Sequence, residues 1–259
     1  MSEGINVWYD LMAGDMQAAI TFYTETIGWK TRQWEDADPN TPYTMFVANE
    51  TPIGGVMPLP EEARSMGAPP HWIAYTTVEN VDTAVEKAKG LGAKVYQPPM
   101  DIPKVGRFSV LADPQGATFA MFKPIEGMPQ KEMTGIGEFS WAELHTTDYE
   151  AAWKFYRELF GWEHRDTMDM GEQGKYWMFN DPTKVTKGGM SNMAKQMHMP
   201  AHWLHYVNVD DIDAACERIK SKGGKILNGP MDVPGDDKVA QCMDPAGAVF
   251  AIYASGKRA

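Results

Sequence analysis

The chain has 259 residues, 43% hydrophobic and 11% aromatic, enough for two domains of about 130 residues, each near the ordinary domain size. A formal net charge of -11 excludes nucleic acid and anionic membrane surfaces as partners, because both require clustered Lys and Arg. Cys216 and Cys242 are too few for a disulfide framework, no apolar run is long enough to span a membrane, and the N-terminus lacks a signal peptide's basic flank and apolar core, so a cytoplasmic location is expected.

In chain order, the alternation over residues 6–12 predicts a strand. Asp15 is placed to cap a helix whose apolar stripe is Met16, Ala19, Ile20, Tyr23 and Ile27, closed by Gly28. Three short strands follow at 29–34, 43–48 and 53–57, separated by Asp, Pro, Asn and Gly. The order then restarts with a strand at 72–78, a helix at 81–91 before Gly92, and strands near 93–97, 106–112 and 118–122. Asp113-Pro114-Gln115-Gly116 makes the turn between the last two.

The whole pattern then repeats. Trp8-Tyr9-Asp10-Leu11, Asp15, Phe22-Tyr23 and Gly28-Trp29 return 133 residues later as Trp141-Ala142-Glu143-Leu144, Asp148, Phe155-Tyr156 and Gly161-Trp162, and the offset holds at Tyr43/Tyr176 and Phe46/Phe179. Past a short gap the offset becomes 131, pairing His71-Trp72 with His202-Trp203 and Asp113-Pro114 with Asp244-Pro245. This is a tandem duplication, with second-half helices expected at 149–160 and 212–222. The expected organisation is α+β, with four βαβββ modules paired into two domains, 1–123 and 138–259, joined by a Gly-, Pro- and charge-rich linker over 124–137.

Four βαβββ modules with these strings in this order resemble the vicinal oxygen chelate superfamily, which includes glyoxalase I, bleomycin-resistance proteins and extradiol dioxygenases. The resemblance implies curled sheets around a cavity, commonly with a divalent metal held by His, Glu or Gln from the strands. The positions it assigns to those ligands are Trp8, a residue within 53–57, about Ile73, and Ala120. In the second half they are Trp141, a residue within 187–192, about Leu204, and Ala251. None of the assigned positions carries a side chain suited to zinc, nickel or iron, so the usual metal site is expected to be absent from both halves.

Period-two geometry selects a different polar set for the cavity. If Trp141 points inward, so do Glu143 and His145; with Leu204 go His202 and Tyr206, and with Ala251 goes Tyr253. The first half supplies Asp10, Met12, His71, Tyr75 and Phe122. An acid with a His thus recurs as Asp10 with His71 and Glu143 with His202. The pair is either a carboxylate orienting a general base or a satisfied strand-to-strand hydrogen bond. His145, whose counterpart is Met12, belongs to the second half alone. It is a substrate contact, a packed side chain, or a donor in a displaced divalent-metal site with Glu143 and His202. His205, on the opposite parity, and His198, in a loop, fall outside the site.

Recurring Trp reads mainly as packing. The Met190, Met193, Met197 and Met199 group suits either a cavity mouth or an exposed loop. Gly54-Gly55 and Gly188-Gly189 lack the helix and Lys of a phosphate loop and read as close approaches between modules. The leading expectation is a protein that binds a small, aromatic or amphipathic molecule without a metal or other cofactor. Its candidate catalytic residues are Glu143, His145 and His202, and its candidate substrate contacts are Trp141, Tyr206, Tyr253, Asp10, His71 and Tyr75. The alternatives are a lyase, isomerase or oxygenase using His202 and Glu143, and a regulatory or scaffolding protein with vestigial cavities. Small molecules are the expected partners, and the chain is read as a monomer or homodimer.

Overall fold

A computed structural model describes residues 3–34, 42–125 and 134–256. The first half runs β1 (Asn6–Ala13), α1 (Met16–Thr26), β2 (Lys30–Gln33), β3 (Thr44–Ala48), β4 (Thr51–Pro58), α2 (Glu61–Ser65), β5 (His71–Thr77), α3 (Val81–Gly90), β6 (Lys94–Ile102), β7 (Gly106–Ala112) and β8 (Thr118–Pro124). The second repeats it as β9 (Phe139–His145), α4 (Tyr149–Phe160), β10 (Glu163–Asp169), β11 (Lys175–Asn180), β12 (Thr186–Ser191), α5 (Met193–Gln196), β13 (His202–Asn208), α6 (Ile212–Ser221), β14 (Lys225–Val233), β15 (Asp237–Met243) and β16 (Val249–Ala254). A short 3-10 turn, Gly171–Gln173, precedes β11. The strands form two eight-stranded sheets, β2-β3-β4-β1-β5-β8-β7-β6 and β10-β11-β12-β9-β13-β16-β15-β14. Each sheet therefore joins two βαβββ modules from one half. Most of the linker expected over 124–137 lies outside the described residues.

Local chemistry accounts for the helices. Asp15 accepts from Ala18 N at 3.0 Å, and Asp148 accepts from Glu150 N and Ala151 N at 3.1 Å each, so both duplicated aspartates satisfy otherwise unpaired first-turn amides. Gly161 takes a left-handed φ of 69° to end α4. The buried face of α1 differs from the expected stripe: it consists of Ala19, Phe22, Tyr23 and Thr26, while Met16 and Ile20 are only partly covered. Phe22 turns the helix this way by packing edge-on to Tyr23 and Phe250, and Thr26 is tolerated because its hydroxyl bonds the Phe22 carbonyl at 2.7 Å. Strand β6 also outruns its expected end at residue 97. It continues through Pro98 and Pro99 because it is an edge strand whose pairing with β7 shifts register there. The short helices α2 and α5, at five and four residues, are too brief to leave a periodic signal.

Compactness follows a partition different from that of the sheets. One compact unit takes Met1–Trp8, Ile73–Lys131 and Trp141–Leu204, and the other takes Tyr9–Trp72, Glu132–Ser140 and His205–Ala259. In the first unit, α3 and α4 pack together around a core that includes Val85, Ala88, Phe119, Tyr156, Trp162, Phe179 and Trp203. Trp162 Nε1 donates to the Gly4 carbonyl at 2.7 Å, and Trp203 Nε1 donates to the Tyr156 hydroxyl at 3.0 Å. That hydroxyl in turn donates to Asp113 Oδ2 at 3.0 Å. The second unit repeats this chemistry separately. There α1 packs on α6, Trp29 donates to the Gly137 carbonyl at 2.7 Å, and Trp72 donates to Tyr23, which donates to Asp244. The recurring Trp29, Trp72, Trp162 and Trp203 are thus core residues, whereas Trp8 and Trp141 are only partly covered.

Candidate functional site

Strand β9 divides its side chains between two faces. Ala142 and Leu144 join the core under α4, together with Phe179, Met190 and Trp203. Trp141, Glu143 and His145 therefore lie on the opposite face, and the same alternation puts Tyr176, Gly189, Ser191 and His202 there. Glu143, His145 and Ser191 are nevertheless buried.

The glycine pair on β12 shapes this face. A Cβ on Gly188 would fall 2.1 Å from the Ala142 carbonyl oxygen, so this residue is glycine to let β12 approach β9. A Cβ on Gly189 would fall 2.2 Å from Cζ of Tyr176, whose ring occupies that space. Lying over Gly189, the Tyr176 hydroxyl accepts from Trp141 Nε1 at 2.9 Å. Burial first, then the nearby Glu143 carboxylate, raise the Tyr176 pKa well above the usual tyrosine range, so the hydroxyl keeps its proton. Among the described residues that proton has no acceptor.

Further along β9, His145 is 4% exposed and its Nε2 sits 3.1 Å from Glu143 Oε1. The contact is close, but its direction is wrong for a hydrogen bond, and Nε2 has no hydrogen-bond partner among the described residues. Ser191, register partner of His145 on the neighbouring strand, has a buried Oγ that is likewise unpartnered. Buried polar atoms left unpaired cost about 1–3 kcal/mol each. The His145 and His202 rings stand edge to face with centroids 5.0 Å apart. His202 Nδ1 lies 3.0 Å from the Pro200 carbonyl, which can only accept, so Nδ1 carries the hydrogen. Burial, first, lowers the His202 pKa, and His145 acts in the same sense against Pro200 and Glu143. The neutral ring therefore holds a lone pair on Nε2.

The first half builds the corresponding face differently. Tyr43 lies over Gly55 as Tyr176 lies over Gly189, but its hydroxyl donates to Asp10 Oδ1 at 2.6 Å. Met12 faces Met57 in register where the second half has His145 and Ser191. His71 Nδ1 meets the Pro69 carbonyl at 2.8 Å, and burial lowers its pKa. The expected acid–His pairs take another form: His202 and His71 donate to backbone carbonyls, and the imidazole beside Glu143 is His145. Tyr75 packs against Phe108 and Phe122. In the second unit, Tyr206 is buried and pairs in register with Ala251, and Tyr253 donates to Asp237 at 2.7 Å. His205 is buried against Tyr9 and Phe139, while Met197 and Met199 are exposed. Tyr176 and Ser191 were missing from the sequence candidates. The usable signal was a Tyr on the strand beside a Gly-Gly pair, repeated in both halves.

A divalent metal is common on this kind of scaffold. The assigned ligand positions hold the hydrogen-bonded Trp141 and the buried, apolar Ile73, Ala120, Leu204 and Ala251. Among the described residues, no three His, Cys, Asp or Glu side chains, Glu143, His145 and His202 included, form a group able to share a metal ion. The side chains at those assigned positions do not fit that metal.

Paired βαβββ modules with polar side chains on the inner strand face define a tandem glyoxalase-like protein. The family model for the Glyoxalase/Bleomycin resistance protein/Dioxygenase superfamily matches residues 6–121 and again 138–252, and the chain belongs to that superfamily. It is 30% identical to "Putative glyoxylase CFP32" of Mycobacterium tuberculosis over 96% of this chain and 94% of that one. It is also 30% identical to "Anthracycline biosynthesis protein DauV" of a Streptomyces species, over 96% and 92%. Among solved structures, the Mn(II)-bound glyoxalase from Novosphingobium aromaticivorans superposes with a TM-score of 0.65 at 16% identity, covering 98% of this chain and 83% of that one, which is a likeness of fold. No helix among the described residues is long and apolar enough to cross a membrane.

Proposed function

We propose that the second half binds a small, neutral aromatic or amphipathic molecule on the inner face of its sheet, by side-chain contacts rather than through the superfamily's metal. The carrying observation is that two buried polar atoms on register-paired residues, His145 Nε2 and Ser191 Oγ, have no hydrogen-bond partner among the described residues. Trp141 and Tyr176 supply an aromatic wall on the same face. Similarity to a protein named for anthracycline biosynthesis supports an aromatic ligand. The test is a thermal-shift screen of small aromatic compounds. A saturable rise in Tm that disappears in Trp141→Ala supports the reading, and a screen without any such rise sinks it.

One observation favours catalysis as a second reading. His202 is held in the Nδ1–H tautomer with its Nε2 lone pair available, the state a general base requires. A lyase, isomerase or oxygenase would use that lone pair, with Glu143 beside His145. Such an enzyme loses turnover in His202→Gln while retaining ligand binding; unchanged turnover in that variant removes His202 from the chemistry.

A further inference from the structure

Helices α2 and α5 end in the same turn, bond for bond. In the first half the Met66, Gly67 and Ala68 amides donate to the carbonyls of Glu62, Arg64 and Ala63; in the second, Met197, His198 and Met199 donate to those of Met193, Lys195 and Ala194. The turn needs a left-handed residue at its centre. Gly67 supplies it at φ 81°, where glycine pays no steric penalty, but the same place in the second half is held by His198 at φ 52°. A Cβ is disfavoured there by its approach to the following carbonyl. Burial does not offset that cost, because His198 is exposed, and Met197 and Met199 beside it are 63% and 39% exposed. Where the first half has Glu62, Met66, Gly67 and Ala68, the second has Met193, Met197, His198 and Met199.

Consecutive Cα atoms lie about 3.8 Å apart, so residues 197–199 hang two thioethers and an imidazole from one tight turn, each sulfur on a flexible arm. Thioethers are soft, uncharged donors. Mg2+, Ca2+ and Mn2+ prefer oxygen, and zinc takes thiolate, imidazole or carboxylate, whereas Cu(I) accepts both thioether sulfur and imidazole nitrogen. We propose that this turn is a surface site for Cu(I), a soft monovalent cation, held by the Met197 and Met199 sulfurs and the His198 ring. Met193, one helical turn before Met197, brings a further thioether to the same side of α5. The first-half turn, with Met66 as its one donor of this kind, does not form the site. The inference is independent of the ligand proposed for the inner sheet face, and its failure leaves that reading standing.

The test uses the full chain with carbon-13 methionine methyl groups, titrated with silver nitrate in chloride-free buffer at neutral pH and followed by NMR. Ag(I) shares the softness of Cu(I) and does not change oxidation state during the titration. The Met197 and Met199 methyl signals are expected to move and saturate together, with Met66 unmoved over the same range, and neither Zn2+ nor Mn2+ at equal concentration moves them. His198→Gly gives the turn the first half's residue. It is expected to weaken silver binding about tenfold or more while the Tm stays level or rises. Met199→Leu weakens binding likewise without lowering the Tm. Silver taken up by the buried Cys216 or Cys242 would leave the Met197 and Met199 signals still, and that result overturns the proposal. Movement of Met66 at the same affinity also overturns it, since a lone thioether would then suffice. Unchanged affinity in His198→Gly and Met199→Leu, or an equal response to Zn2+ or Mn2+, is equally fatal to it.

Discussion

Gly189 has room for a hydrogen and nothing larger, because the ring of Tyr176 occupies the place of its Cβ. Gly189→Ala is expected to displace that ring, break the Trp141–Tyr176 hydrogen bond and cost about 1–3 kcal/mol in urea unfolding. Unchanged stability and ligand affinity would show that Tyr176 is not held there. The histidines make a second prediction at this scale. Burial lowers the pKa of both His71 and His202 in the folded chain, so below the ordinary imidazole range near 6.5 the unfolded chain takes up protons first. Their contribution to stability is complete above that range and is lost as pH falls through it. The double variant His71→Gln/His202→Gln should therefore lose less stability than the parent between pH 7 and pH 5. An identical pH profile in urea unfolding would contradict the burial of these rings.

Helix α4, the turn after β7 and strand β13 meet at one hydroxyl. Tyr156 accepts from Trp203 and donates to Asp113, whose other oxygen holds the turn amides of Gln115 and Ala117. Tyr156→Phe strands a buried indole N–H and a carboxylate oxygen together and is expected to cost about 1–3 kcal/mol for each group left unpaired; a change below about 0.5 kcal/mol in chemical denaturation would rule out the chain of bonds. These elements were largely legible beforehand. Asp15, Asp148 and the glycines after the helices are local signals, and the duplication repeats each of them. The rotation of α1 was not legible, because Phe250, far off in sequence, decides which side of that helix is buried. Parity along β9 and β13 put Glu143, His145 and His202 on one face. It could not reveal that Pro200 rather than Glu143 engages His202, since backbone carbonyls leave no trace in composition.

Across the whole molecule, the sequence halves and the compact units do not coincide, because Trp162 is anchored on Gly4 and Trp29 on Gly137. Residues 134–259 alone would lack half of each unit's core. They are expected to melt without a cooperative transition in circular dichroism, whereas a sharp transition at the parent Tm would show that the half is autonomous. The duplication supplies two versions of one inner face. In one, Tyr43, Asp10 and the paired methionines largely satisfy one another; in the other, His145, Ser191, Tyr176 and His202 retain unspent polar capacity. The measurement that addresses this contrast most directly is nitrogen-15 NMR of the indole groups during titration with a small aromatic compound that raises the Tm. The account predicts a saturable shift of the Trp141 Nε1–H signal with Trp8 unmoved; a stationary Trp141 signal, or a shift confined to Trp8, would contradict it.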